Sequence, residues 1–330
     1  MPGLSVVEVR LVYSRQFATM SSAKAVRPHC ERDMIQAIVG RPPNSPPADD
    51  RCHPFTALYM SPYVELKFAA LTDTGMVRAH NEDSIACLPE YGLAVLADGM
   101  GGHRGGEIAS GIATAIVQDT LTQQLGQTSP PLEFVKAKKM RHIMEQAVQH
   151  ANSAIFTTAM QHAAYAGMGT TLVVAIFRHD YVVLANIGDS RAYRIRDQSM
   201  VQLTRDHSYL QEQIDAGFLS QEEARVSENR NLVTRALGIE SIANADIDEH
   251  ATLPGDIFLL CSDGLTDMLN DARILAEIVQ PGTLAEACER LVRQANLHGG
   301  ADNISVMLVR VASHANKPHL SARIRQWITS

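Results

Sequence analysis

No apolar run in this chain approaches the roughly 18 residues that a membrane-crossing helix needs, so no spanning segment is expected. No two cysteines stand at C-x-x-C spacing, and the five present (30, 52, 87, 261 and 288) are odd in number. Cys87 and Cys261 lie in apolar runs, which reads as buried free thiols in a reducing, cytoplasmic setting. A basic excess is missing too. With 29 Lys and Arg against 36 Asp and Glu, the formal net charge is -7, and a broad nucleic-acid footprint is excluded. There is no internal repeat. What remains is a chain of 330 residues, 45% hydrophobic, enough for one large domain or two modest ones.

Residues 1–64 read differently from the rest. The stretch "VGRPPNSPPADDRCHPF" (39–55) is dense in proline, which blocks helix interiors and central strands. A disordered or loosely packed extension is expected there. Its first thirty residues carry Arg10, Arg15, Lys24 and Arg27 against Glu8 alone, a faint likeness to a transit peptide; initiation at Met60 is the other reading.

From Leu66 the pattern tightens. "LKFAALT", "GLAVLAD", "TTLVVAIF", "YVVLANIG", "RAYRIR", "DIFLLCS" and "ISVMLVRV" read as strands, rich in β-branched and aliphatic residues and bounded by turn signals. The run 170–203 has connections as short as "RHD", "GDS" and "RDQS", which predict antiparallel neighbours. Residues 104–124, 132–161 and 284–299 read as helices. Sheet layers covered by helices, an α+β arrangement, follow from this mixture. Residues 205–240 carry much charge and few strand signals, and read as a helical insertion over a sheet edge.

In "GLAVLADGMGGHRGGEIASGIA" (92–113), an apolar strand ends in Asp98, and glycines crowd the next eight residues. A carboxylate alone in low dielectric is costly. A phosphate-binding loop would need Gly-Lys-Ser/Thr, and no lysine is present here. Two readings stay open: a metal ligand, or a turn acid capping the next helix. Other segments repeat the logic. "FLLCSDGLTDML" places Asp263 and Gly264 after a strand, "GGADNISVMLV" places Asp302 before one, and "NIGDSRAY" places Asp189 in a hairpin turn. "GMVRAHNEDSIAC" sets Arg78, Glu82 and Asp83 around an early strand start. Converging carboxylates repel unless cations compensate. With oxygen donors and no Cys or His at ligand spacing, Mg²⁺ or Mn²⁺ suits the set better than zinc. Two such ions sharing a carboxylate can activate a water and neutralise a phosphoryl group, and Arg78 is the candidate to grip a phosphate.

The set "VRAHNEDS", "ADGMGGHRGGE", "GMGTT", "NIGDSRAYRIR", "LTRDHS", "LVTRALG", "LLCSDGLTD" and "ADNISVMLV", in this order, resembles the bacterial metal-dependent protein phosphatases of type 2C. The likeness covers about residues 66–312. It implies a four-layer sandwich of two antiparallel β-sheets flanked by helices, with the phosphatase domain at 65–312, a flap at about 205–240 and a tail at 313–330 expected to be a short helix. It implies hydrolysis of phosphoserine and phosphothreonine in proteins by a metal-activated water, opposing a serine/threonine kinase, in a cytoplasmic monomer. Carried over by motif, Asp98 bridges two metals and the Gly99 carbonyl binds one of them; Asp263 and Asp302 complete the second metal's shell. Glu82 and Asp83 hold metal-bound waters, Arg78 binds the substrate phosphate, and Asp189 and Thr204 are structural turn residues.

There are departures from the family pattern. Met100 stands where eukaryotic members have a histidine, leaving His103 as a weak candidate for the general acid. Residues 163–166 are Ala-Ala-Tyr-Ala where many bacterial relatives have an aspartate, which puts a third metal in doubt although Asp267 could contribute. The competing readings are a catalytically silent regulator of the same fold that binds phosphoproteins, and a two-metal phosphodiesterase or nuclease, which the acidic charge disfavours.

Overall fold

Strand period sorts the side chains. In β2 (Val64–Asp73), Leu66, Phe68 and Ala70 face a core between two sheets, while Ala69 and Leu71 face a helix layer. The computed structural model describes residues 55–60, 64–102, 104–126, 135–220, 223, 227 and 232–314. The other strands are β1 (Phe55–Met60), β3 (Asp83–Leu88), β4 (Leu93–Met100), β5 (Gly169–Thr170), β6 (Leu172–Phe177), β7 (Tyr181–Ile187), β8 (Arg191–Arg196), β9 (Ser199–Gln202), β10 (Asp246–Ala251), β11 (Ile257–Cys261) and β12 (Ile304–His314). One sheet runs β1-β2-β12-β11-β8-β9; the other runs β10-β7-β6-β4-β3, with short β5 paired to β4.

Between the sheets, Phe177 meets Phe68 at 6.4 Å and Phe258 at 5.1 Å, both edge to face. Such pairs contribute roughly 0.5–1.5 kcal/mol each beyond their buried area. On the outer face of the second sheet lie α1 (Gly105–Gly126) and α2 (Ala137–Gln161), through Ile108, Ile112, Val117, Met144 and Ile155. On the outer face of the first lie α4 (Asp271–Val279) and α5 (Leu284–Leu297), the latter opened by a capping box of Thr283 and Glu286. The result is the four-layer sandwich. Among the described residues no helix is long and apolar enough to cross a membrane.

Several expectations need correction. Residues 55–60 are strand, paired from Phe55↔Ala70 to Met60↔Glu65, so the boundary of the extension expected at 64 moves back. "FTALYM" has good strand formers, and the preceding prolines masked them. Residues 1–54 and 315–330 lie outside the described residues, and β12 carries the tail boundary on to His314. The "GDS" link is no hairpin: β7 belongs to one sheet and β8 to the other, so the turn carries the chain across the sandwich. β7 is buried on both faces, so its sequence gives no period to reveal which neighbour it takes. β10, "DIDEHA", carried no legible signal, since it buries only Ile247 as an edge strand, and α4 went unanticipated although Asn270 caps it and Ile274 and Ile278 recur at helical spacing. In the insertion, the described part holds one short helix, α3 (Tyr209–Asp215), and bridges at Ser208↔Val233 and Thr170↔Leu237. Cys261 and Cys288 are buried thiols, and Cys87 is half-buried.

Candidate active site

Antiparallel pairing gathers the acids. β3 starts at Asp83 and lies directly opposite Asp98 near the end of β4. β11 ends at Cys261, two residues before Asp263, and β12 begins two residues after Asp302. The β7–β8 crossing places Asp189 at the same end of the sandwich. Like charges directly opposite on paired strands are destabilising, so the Asp83–Asp98 pair needs a counter-charge or a proton.

The electrostatics register that need. Burial, reinforced by Asp83, Asp263 and Asp189, raises the Asp98 carboxyl well above its ordinary range. Asp263 is raised likewise by burial and then by Asp189, Asp267 and Asp302. Burial pushes Asp83 up to about 6, against hydrogen bonds from Ser305 and Ser262 that favour its charged form. Oδ1 of Asp83 and Oδ1 of Asp263 are buried without a hydrogen-bond partner, although Ser262 Oγ donates to Asp83 Oδ2 at 2.8 Å.

The glycines let backbone approach backbone. A Cβ on Gly99 would stand 2.1 Å from the Gly106 carbonyl oxygen, and one on Gly106 would stand 2.6 Å from Glu82 Oε2. Side chains are therefore stripped from this loop because α1 starts hard against the end of β4 and the Glu82 carboxylate sits over its first turn. The Asp98 backbone is fixed by Thr171, whose N–H donates to the Asp98 carbonyl at 2.8 Å and whose Oγ1 accepts from the Asp98 N–H at 3.1 Å.

Sequence reasoning missed Asn303. Its Oδ1 accepts from Glu82 N at 2.7 Å, and its Nδ2 donates to the carbonyls of Thr74 and His80, both at 2.9 Å. One amide thus pins both ends of the loop that carries Arg78 and aligns Glu82. Its adjacency to Asp302 was the available signal. Asp189 is more than a turn residue: it is buried, raised to about 6 by burial and then by Asp206, and it faces Asp98 and Asp263. It lies beside Gly188 just past the end of β7, as Asp98 and Asp263 lie beside glycines at their strand ends. Arg191 grips Asp206 with three contacts of 2.6–3.0 Å, joining "GDSR" to "TRDH". Thr204 Oγ1 accepts from Ala192 N at 3.0 Å, as a structural residue would.

Arg78 Nη2 lies 2.6 Å from Asp302 Oδ2. The local alternative, a pair with Glu82 or Asp83, is not what forms. Among the described residues no three acids, histidines or cysteines stand around one point as a closed cage. A cation between Asp98 and Asp263 would compete with the Arg78 guanidinium for Asp302. The donor set fits divalent, oxygen-preferring cations: carboxylates, orphaned carboxylate oxygens and a glycine carbonyl, with no soft ligand. His103 lies outside the described residues.

The protein phosphatase 2C model matches residues 77–299. The chain belongs to the protein phosphatase 2C family. It is a protein-serine/threonine phosphatase of the bacterial type. It is 36% identical over 241 residues to the serine/threonine phosphatase stp of Listeria innocua, covering 72% of this chain and 93% of that one. It is 37% identical over 249 residues to the serine/threonine protein phosphatase PstP of Mycobacterium tuberculosis, covering 76% of this chain and 46% of that one. The crystal structure of PstP/Ppp from that organism superposes with a TM-score of 0.67 at 35% identity, over 75% of this chain and 99% of that chain. A structure of the PstP catalytic domain in complex with two manganese ions gives 0.65 at 35% identity, over 75% of this chain and 99% of that one. In this phosphatase 2C chain, β1 lies outside the segment matched by the family model.

Proposed function

We propose that this phosphatase hydrolyses phosphoserine and phosphothreonine in proteins with two divalent cations, Mn²⁺ or Mg²⁺, opposing a serine/threonine kinase as a cytoplasmic monomer. The observation that carries the metal reading is the in-register pair Asp83–Asp98 with Asp263 and Asp302 at adjoining strand ends, two of whose buried oxygens lack partners. Asp98, the Gly99 carbonyl, Asp263 and Asp302 would hold the cations, with Glu82 and Asp83 behind them binding waters. Cations so held supply charge neutralisation and a water deprotonated near neutral pH.

The rest is done by this chain's own groups. Thr171 fixes the Asp98 backbone. Ser262 orients Asp83 by donating to one of its oxygens, leaving the other free. Asn303 holds the loop that presents Arg78. The Arg78 side chain is half exposed, so its fork is open to solvent and can take a phosphate bidentately. Turnover of a phosphothreonine peptide with Mn²⁺, against the same protein in chelator, tests this reading. Metal-dependent release of phosphate is expected. Turnover that persists in chelator, or none with metal, would sink it and favour a silent regulator.

A further inference from the structure

Beside the loop that carries Arg78 lies a groove of about 380 Å³ between the end of β2 and α5. Leu71 and Val292 form its buried floor; Met76 and Leu297 wall it; Glu289 and Arg293, of opposite sign, flank it from solvent. Met76 is 62% exposed and Leu297 71%, and the neighbouring Val77 is 69% exposed. Met76 and Leu297 thus leave large apolar side chains in water on the walls of one concavity, open to an apolar partner.

The groove is built onto the active site. Met76 N–H donates to the Gly300 carbonyl at 2.8 Å, and Asn303 clamps the same loop at Thr74 and His80. Met76 and Arg78 are two residues apart, so their Cα atoms are at most about 7 Å apart. An extended chain advances about 3.3 Å per residue, so two to four residues on one side of a phosphate at Arg78 span the distance to the Met76 wall. The volume is ample for a leucine- or methionine-sized side chain, and the lining charges, Asp73 and Glu289 against Arg293, are weakly acidic in balance.

We propose that this groove binds the substrate polypeptide, taking an apolar side chain about two to four residues from the phosphorylated serine or threonine. The inference rests on the phosphatase reading and on Arg78 as the phosphate contact. It makes Met76 and Leu297 specificity-determining residues.

The test uses the full chain with Mn²⁺ and three substrates: p-nitrophenyl phosphate, a phosphothreonine peptide flanked by alanines, and a series in which one leucine is moved from four residues before to four after the phosphothreonine. The wild type should prefer leucine at one or two positions by about tenfold in kcat/KM, the effect of partly burying one aliphatic side chain. The double variant Met76→Gln, Leu297→Gln should lose that preference while its kinetics on p-nitrophenyl phosphate and the alanine peptide stay within about twofold, both residues being exposed. A flat leucine scan in the wild type, or a preference that survives in the double variant, overturns the assignment. A wild-type dimer in sedimentation that the double variant dissolves would give the groove to a second copy and also overturn it. Failure of the wild type on all three substrates would strike the phosphatase reading itself, and the groove with it. A flat scan with good turnover strikes the groove alone.

Discussion

At the scale of single residues, Arg78 is the most exposed to test. Its 2.6 Å contact with Asp302 ties it to a proposed metal ligand, and under the proposal it exchanges that carboxylate for a phosphate. Arg78→Ala should raise KM for a phosphopeptide and lower kcat/KM by roughly one to two orders of magnitude, the loss of a charge-assisted bidentate contact. Mn²⁺ affinity should hold or tighten slightly, because Asp302 is released. Arg78→Lys should recover only part of the loss. A sharp fall in Mn²⁺ affinity with phosphate inhibition untouched would show that Arg78 serves the acids instead. The strand-end positions of Asp98 and Asp263 were legible in sequence because each follows an apolar run and precedes a glycine. The partner of Arg78 and the hub at Asn303 were not legible. Each joins residues more than 200 positions apart, and only the packing of β2, β3 and β12 brings them together.

At the scale of elements, the strands rich in aliphatic residues and the long helices were readable, and the short helix α4 and the edge strand β10 were not. β2, α2 and α5 follow their patterns closely. β10 was lost because one buried side chain in six makes no alternation. The antiparallel neighbour expected across "GDS" was wrong because a short link constrains distance and not which sheet receives the next strand. β1 changes what truncation should do. Removing residues 1–54 should leave the melting temperature nearly unchanged. Removing 1–63 strips the strand that covers the β2 edge and should lower it by several degrees, at about 2–4 °C per kcal/mol for a domain of this size. Differential scanning calorimetry of the two truncations checks this, and equal melting temperatures would contradict the assignment of β1 to the sheet.

At the scale of the whole molecule, the fold stores carboxylate repulsion at one end of the sandwich. Folding raises Asp83 and Asp189 to about 6, and Asp98 and Asp263 well above the ordinary carboxylate range. A raised carboxyl contributes stability that is present below its unfolded pKa and lost as pH rises through its folded value. In chelator, these acids should therefore make the protein less stable from about pH 4 through 6 and beyond. His207, buried and shifted down by that burial, acts with the opposite sign. Comparing wild type with Asp98→Asn cancels the histidine. The variant's stability advantage in chelator should grow with pH across this window in thermal melts. An advantage that shrinks with rising pH would mean that the cluster is not strained by its own charge.

The central claim is that Asp98 organises a two-cation centre. Calorimetric titration of Mn²⁺ into the chelator-stripped protein tests it directly, with Asp98→Ala titrated alongside and circular dichroism confirming that both are folded. The wild type should take up two equivalents, as many as the manganese complex of PstP holds. The variant should lose tight binding of both and hydrolyse no phosphopeptide, because a bridging ligand serves both ions. Two tight equivalents in Asp98→Ala would contradict the account.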